Sequence, residues 1–346
     1  MADVAKRANV SKMTVSRVLN GTGYVKEETR AAIEQAIAEL HYRPNLLAKA
    51  LTTGKTNLIA YVLTDISDPF FANTCKGVTQ ECTRVGYTTV VYNAETVASI
   101  DSFVSMAVDR NLDGVIFHHL DISQQLVDCL LEHGIETALI DNERVLQNAS
   151  NVYCSDYHGG VMAAQLLYEK NYRRIVCVQG RYPDGMRVPY PMSYTEQFQK
   201  KIWEERTAGF YDTLRALDLP LFGVYYGSGS APPSLCFQRG QQIAREILQQ
   251  DALPDAIYCE SDLIALGILG ELLESKIDVP NTISLIGHDG LDVCRYLYPR
   301  ITTVVMPQFE AGRVAAQCLL RRIRREAGYQ NAELLPTLFY GDTTRS

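Results

Sequence analysis

The chain has 346 residues, more than one ordinary core accommodates, so two or three domains are expected. With 47% apolar and 21% charged residues it reads as a globular chain rather than a disordered one, and no run of about 18 apolar residues offers a membrane span. The net charge of −7 divides unevenly: residues 1–55 carry nine Lys/Arg against five Asp/Glu, and the remainder 24 against 35, the pattern of a head that meets phosphate on a body that does not.

The opening Met1-Ala2-Asp3-Val4-Ala5-Lys6 lacks the basic-then-apolar layout of an export signal, so a cytoplasmic location is expected. Residues 3–8 read as a short helix, ended at Asn9-Val10, where Asn tolerates the left-handed backbone of a tight turn. Ser11 then suits the N-cap of a second helix over 12–19. Its Val15, Val18 and Leu19 face inward at helical spacing, leaving Lys12, Met13, Ser16 and Arg17 outward. Asn20-Gly21-Thr22-Gly23 stops that helix. A third helix over 27–40 carries the apolar stripe Ala32, Ile33, Ala36, Ile37 and Leu40, but Lys26 is a poor cap for it. Three short helices with a polar face on the second fit either a helix-turn-helix that reads DNA or a protein-docking bundle.

From residue 58 the pattern changes to short apolar runs at 58–63, 88–92, 114–117, 137–140, 174–178, 223–226, 256–259 and 284–286. Helical stretches lie between most of them, at 71–86, 98–111, 121–133, 158–171, 204–217, 237–250 and 262–276. Strand–helix alternation over such a length predicts two linked parallel sheets wrapped by helices. Strand ends present ligand contacts in such sheets, which singles out Asp65, Phe70, Phe71, Asp141, Ser261 and Asp289. Asp65 and Asp262 are set aside as helix N-caps.

No Gly-x-Gly-x-x-Gly follows the first strand and no phosphate-binding Gly-x-x-x-x-Gly-Lys-Ser/Thr appears. Gly227-Ser228-Gly229-Ser230 lacks the strand–Gly-x-Ser-x-Gly–helix setting of a nucleophile. His118 and His119 are adjacent at a strand end and are expected to face opposite ways, so no metal triad is expected. Nine scattered cysteines without a Cys-x-x-Cys pair read as small apolar side chains, not as disulfides or a zinc site. An enzyme, a cofactor and a metal are therefore not expected.

The strings Asp3-Val4-Ala5-Lys6, Val10-Ser11-Lys12-Met13-Thr14-Val15-Ser16-Arg17-Val18-Leu19-Asn20 and Tyr42-Arg43-Pro44-Asn45 closely resemble the lactose/galactose repressor family. Ala48-Lys49-Ala50-Leu51-Thr52-Thr53-Gly54-Lys55, Asp65-Ile66-Ser67-Asp68-Pro69-Phe70-Phe71, Ser261-Asp262-Leu263-Ile264-Ala265-Leu266-Gly267, Ile286-Gly287-His288-Asp289 and Leu297-Tyr298-Pro299-Arg300-Ile301-Thr302-Thr303-Val304 extend the resemblance in family order. Two departures stand out: only Met1-Ala2 precede Asp3, and Lys26 stands where Ser or Thr often caps the third helix.

The resemblance implies an all-α helix-turn-helix domain at 1–44, a hinge helix or linker at 45–56, and a periplasmic-binding-protein-like α/β body at 57–346. The body would divide into an N-subdomain (57–155 and 306–330) and a C-subdomain (156–305 and 331–346). It further implies a transcription repressor that binds a near-palindromic DNA operator as a homodimer, with a sugar or sugar derivative between the subdomains as effector. Lys12, Met13 and Arg17 fall at base-reading positions, where Arg17 suits guanine. Ser11, Thr14, Ser16 and Asn20 suit the phosphates and their setting. Asn45, Ala48 and Leu51 lie in the hinge, with Leu51 as a minor-groove wedge. Arg206 and Asp289 are the implied effector grips, with Phe70 to stack on a sugar face and Phe71, Asp141 and Ser261 beside them. The stretch 181–205 is longer than the usual family connection, and the alternatives of a cover over the ligand and a changed dimer surface stay open. A transporter's solute-binding protein shares such a body but would need export and no head.

Overall fold

Asn9 takes the left-handed backbone expected of it, at φ 53°, and turns the chain between α1 (Ala2–Arg7) and α2 (Lys12–Asn20). The Ser11 hydroxyl accepts from the Thr14 N–H at 3.1 Å, capping α2. Helix α3 (Glu27–Glu39) follows Lys26, which makes no side-chain cap bond. Val4, Ala5, Val15, Ile33 and Ala36 form the buried core of these helices, and Arg7 pairs with Glu39 at 2.6 Å. In this computed structural model, residues 1–20, 23–42, 54–94, 97–142, 144–180, 200–227 and 233–345 are described. The chain separates into two units, Met1–Thr56 and Asn57–Ser346.

The second unit holds two six-stranded sheets. The first is built from β1 (Leu58–Leu63), β2 (Thr88–Asn93), β3 (Gly114–His118), β4 (Glu136–Ile140), β5 (Ala149–Cys154) and β11 (Asn331–Leu334), in the order β11-β5-β4-β3-β1-β2. All its pairings are parallel. The other comprises β6 (Ile175–Gln179), β7 (Leu221–Tyr226), β8 (Ala256–Cys259), β9 (Ser284–Asp289), β10 (Thr302–Val305) and β12 (Thr337–Phe339), ordered β12-β10-β9-β8-β6-β7. Among the described residues of this sheet only the β10–β12 pair is antiparallel. Strands buried on both faces explain the continuous apolar runs of β1, β3 and β8.

Helices α4 (Phe70–Arg84), α5 (Val97–Asp109), α6 (Gln124–Glu132) and α12 (Gln308–Ile323) accompany the first sheet, and α7 (Asp156–Glu169), α8 (Lys200–Ala216), α9 (Pro233–Leu248), α10 (Asp262–Glu274) and the short α11 (Val293–Tyr296) the other. The pairs α4/α12, α7/α8 and α9/α10 close through glycines. A Cβ on Gly77 would stand 2.1 Å from the Phe309 carbonyl oxygen, and one on Gly312 2.2 Å from that of Thr74. Gly160 with Gly209, and Gly240 with Gly267, serve the other two pairs in the same reciprocal way.

Among the described residues the chain passes between sheets three times: after Cys154, between Val305 and Gln308, and between Leu334 and Thr337. The last crossing corrects the expectation that residues 331–346 all belong to the second subdomain. β11 pairs Asn331 with Asn151 through Leu334 with Cys154, and so extends the first sheet. Strands β5, β10, β11 and β12 went unrecognised because they are short or polar, Ala149-Ser150-Asn151 among them. One continuous apolar cluster joins Ile59 and Ile116 of the first sheet to Ile175 and Ile286 of the second.

Candidate functional site

On α2, Val15 is wholly buried while Ser11, Lys12, Met13 and Arg17 are exposed and Thr14 and Ser16 half-buried. Sequence spacing likewise put Lys12, Met13 and Arg17 outward and Val15 inward, whereas Ser16, also expected outward, is half-buried. The Ser11 and Thr14 hydroxyls also lie 2.9 Å apart, which fixes the cap residue beside the exposed side of the helix. Asn20 ends the helix. Asn45, Ala48 and Leu51 lie outside the described residues, as does most of 181–205, although α8 reaches back to Lys200 within that stretch. Tyr24, 87% exposed in the same unit, was not singled out in the sequence.

In the body, the candidates gather around the ends of β1, β3, β4, β8 and β9. Arg206, on α8 and only 2% exposed, is the central cation. Its Nε and Nη2 donate to Asp156 Oδ1 at 2.9 and 2.6 Å, and its Nη1 donates to Asp289 Oδ1 at 3.1 Å. Nη1 also donates to the Glu260 carbonyl oxygen. Burial opposes the guanidinium charge, but the carboxylates of Asp156 and Asp289 outweigh it and keep Arg206 charged. Burial likewise raises the Asp156 carboxyl to about 6 and the Asp289 carboxyl well above the usual range, against the pull of Arg206. Glu260 is raised by burial to about 7 while accepting from the Gly180 N–H at 2.9 Å and the Thr207 hydroxyl at 2.7 Å. The Trp203 ring covers the Arg206 guanidinium at 5.0 Å.

A second cluster stands beside it. Asp141 directly follows β4 with φ 53°, accepting from the Cys154 N–H through Oδ1 at 2.6 Å. Its Oδ2 lies 3.2 Å from His119 Nε2 and 3.7 Å from His118 Nε2. Burial pushes this carboxyl up, yet the two imidazoles overcome it and hold Asp141 below the usual carboxylate range. The expectation that His118 and His119 face opposite ways is overturned. His119 leaves the strand with φ 53°, which breaks the alternation and brings the ring centroids to 4.5 Å. Phe70 and Phe71 meet edge to face at 5.4 Å, with Phe70 5.1 Å from the His119 ring and Phe71 4.9 Å from that of His118.

Ser261 occupies the N-cap position of α10, buried and without a capping bond from its side chain. Asp262 does not cap that helix, contrary to expectation. It follows the cap, accepting from the Thr303 hydroxyl at 2.7 Å and the Leu291 N–H at 2.8 Å, and thereby ties β10 to the loop after β9. Asp65 likewise closes its own turn on Ser67 rather than capping α4. The structure thus brings Arg206 together with Asp289, and Phe70 and Phe71 together with Asp141. The sequence reading missed Asp156 and Glu260, and it set His118 and His119 aside on the expectation that they face opposite ways. Buried carboxylates at strand ends were the available signal, since Asp156 follows β5 and Glu260 follows β8.

Residues 1–45 match the family described as bacterial regulatory proteins, lacI family, and residues 164–344 match a periplasmic binding protein-like domain. The HTH-type transcriptional repressor PurR of Erwinia tasmaniensis is 31% identical over 348 residues, covering 97% of this chain and 94% of that protein. A transcriptional regulator CelR–cellobiose complex is 26% identical with a TM-score of 0.67, covering 99% of this chain and 98% of that one. The Lac repressor dimer bound to operator and the anti-inducer ONPF shares the fold at a TM-score of 0.77 and 22% identity, with 99% and 98% covered. With a lacI-type head and a periplasmic-binding-protein-like body in one chain, this protein belongs to the lacI family of DNA-binding transcriptional repressors under small-molecule control.

Proposed function

We propose that this repressor acts as a homodimer on a near-palindromic operator, with Lys12, Met13 and Arg17 reading bases and with a neutral, carbohydrate-like effector held by Arg206, Asp289, Asp141, Ser261, Phe70 and Phe71. The observation that carries the effector reading is the Arg206 network. One buried guanidinium and its two carboxylates form a rigid array of donors and acceptors, next to an aromatic pair, the combination that grips hydroxyls and stacks on a sugar's apolar face. Arg206 is already paired with Asp156 and Asp289, and the further carboxyls of Asp141, Glu260 and Asp262 are buried at neighbouring strand ends. A guanidinium already satisfied by two carboxyls offers little unpaired positive charge to a phosphate or carboxylate, which favours neutral polyols. The relative that binds cellobiose supports the same class.

An effector shifts operator affinity only by binding one state of the protein better than the other. Asn45, Ala48 and Leu51, by the family resemblance, carry the hinge contacts that such a shift would make or break. The test is fluorescence anisotropy of a labelled operator, titrated with protein while neutral mono- and disaccharides and their phosphates are screened. A neutral sugar that moves the binding curve in the wild type but not in Arg206→Ala or Asp289→Asn supports the reading. A response confined to phosphorylated compounds would overturn it.

A further inference from the structure

The geometry points to a divalent transition-metal site formed by His118, His119 and Asp141. The three ligand atoms, one from each residue, all lie within 4.8 Å of one another. With metal–ligand bonds of about 2.0–2.1 Å, a tetrahedral ion needs ligand atoms roughly 3.3 Å apart. The distances from Asp141 Oδ2, 3.2 Å to His119 Nε2 and 3.7 Å to His118 Nε2, bracket that spacing.

The independent observation is His118. Its ring is wholly buried, and among the described residues its Nε2 has no hydrogen-bond partner, lying 3.7 Å from Asp141 Oδ2. An unpartnered buried nitrogen is costly unless something else occupies its lone pair. The other ring nitrogen, Nδ1, lies 2.6 Å from the Tyr61 hydroxyl. The Tyr61 hydroxyl can accept from Nδ1–H, and in that tautomer Nε2 carries the lone pair an ion would take, the arrangement that second-shell partners impose on metal-binding histidines. Asp141 is fixed from behind by the Cys154 N–H, and Phe70 and Phe71 supply a dry aromatic wall.

Two imidazoles and one carboxylate suit zinc, with a coordination position left for water or a hydroxyl oxygen. The inference stands on these residues and does not require the carbohydrate reading. It is tested on the full chain without effector, after chelator treatment, by titration with Co2+ and recording of visible absorption and thermal melting. The expected result is one Co2+ per chain with the visible bands of a four- or five-coordinate ion, displaced by Zn2+, and a raised melting temperature. His119→Gln abolishes this uptake. Tyr61→Phe keeps every ligand and the fold, and weakens uptake about 10- to 100-fold. No uptake by the wild type, a thiolate charge-transfer band in place of the nitrogen–oxygen spectrum, or uptake unchanged in both variants would overturn the site. Each of those results leaves the sugar response of the repressor to be judged separately.

Discussion

Arg206 Nη1 and Asp289 Oδ1 meet at 3.1 Å, which ties α8 to the end of β9, while the same guanidinium holds Asp156 at the start of α7. Removing the cation leaves two buried carboxyls without their partner. Arg206→Ala is expected to lower folding stability by about 3–5 kcal/mol, the usual consequence of breaking a buried pair from one side. Asp289→Asn, which keeps a hydrogen-bond acceptor for Arg206, should cost clearly less. Urea unfolding of both variants beside the wild type decides this, and equal losses would contradict the bridging role.

Glu260 makes stability depend on pH in a specific direction. Its carboxyl is raised from 4.5 to about 7, so between those values the folded chain holds a proton that the unfolded chain has lost. The stability it contributes is full below about pH 4.5 and falls as pH rises towards 7. The whole effect is on the order of 3 kcal/mol. Glu260→Gln can still accept from Gly180 N–H while its amide nitrogen donates to the Thr207 hydroxyl, so the variant should fold and lose less stability over that interval. Parallel pH–stability curves for the two proteins would be the contrary result.

The glycines of α10 give a prediction of opposite signs three residues apart. A Cβ at Gly267 would stand 2.0 Å from the Phe237 carbonyl oxygen of α9, whereas one at Gly270 meets only Phe237 Cζ, at 3.9 Å. Gly267→Ala should force the helices apart and cost about 1–3 kcal/mol or more. Gly270→Ala should stabilise by up to about 1 kcal/mol through helix propensity. Thermal melting of the two single variants is sufficient.

In the head, Ser11→Ala removes the α2 cap and should destabilise that unit by about 1 kcal/mol. Arg17→Ala leaves the exposed side of α2 without its longest donor and should cost about 1–3 kcal/mol of preference for the selected operator over its single-base variants. Circular dichroism melting of the first variant and competition binding of the second separate a folding defect from a reading defect.

Much of this was legible in the sequence because strong local signals agreed. Asn9, Ser11 and the Val15–Val18–Leu19 spacing defined the head, and the apolar runs at 58–63 and 256–259 marked buried parallel strands. Arg206 with Asp289 came through resemblance, since 83 residues separate them and no local pattern links them. What escaped depended on backbone detail. The left-handed turns at His119 and Asp141 decide where three polar side chains converge, and strand periodicity predicts the opposite for His118 and His119. Residues 331–334 were placed with the second subdomain, and β11 went unrecognised, because a four-residue, half-polar strand carries no signal of its partner.

The most direct test of the account is selection of operator from random duplexes at controlled salt, with wild type and Arg17→Ala side by side. The account predicts enrichment of a near-palindrome by the wild type, loss of that enrichment in the variant, and release or strengthening of the complex when a neutral sugar is added. Enrichment without symmetry, or equal enrichment by the Arg17→Ala protein, would contradict it.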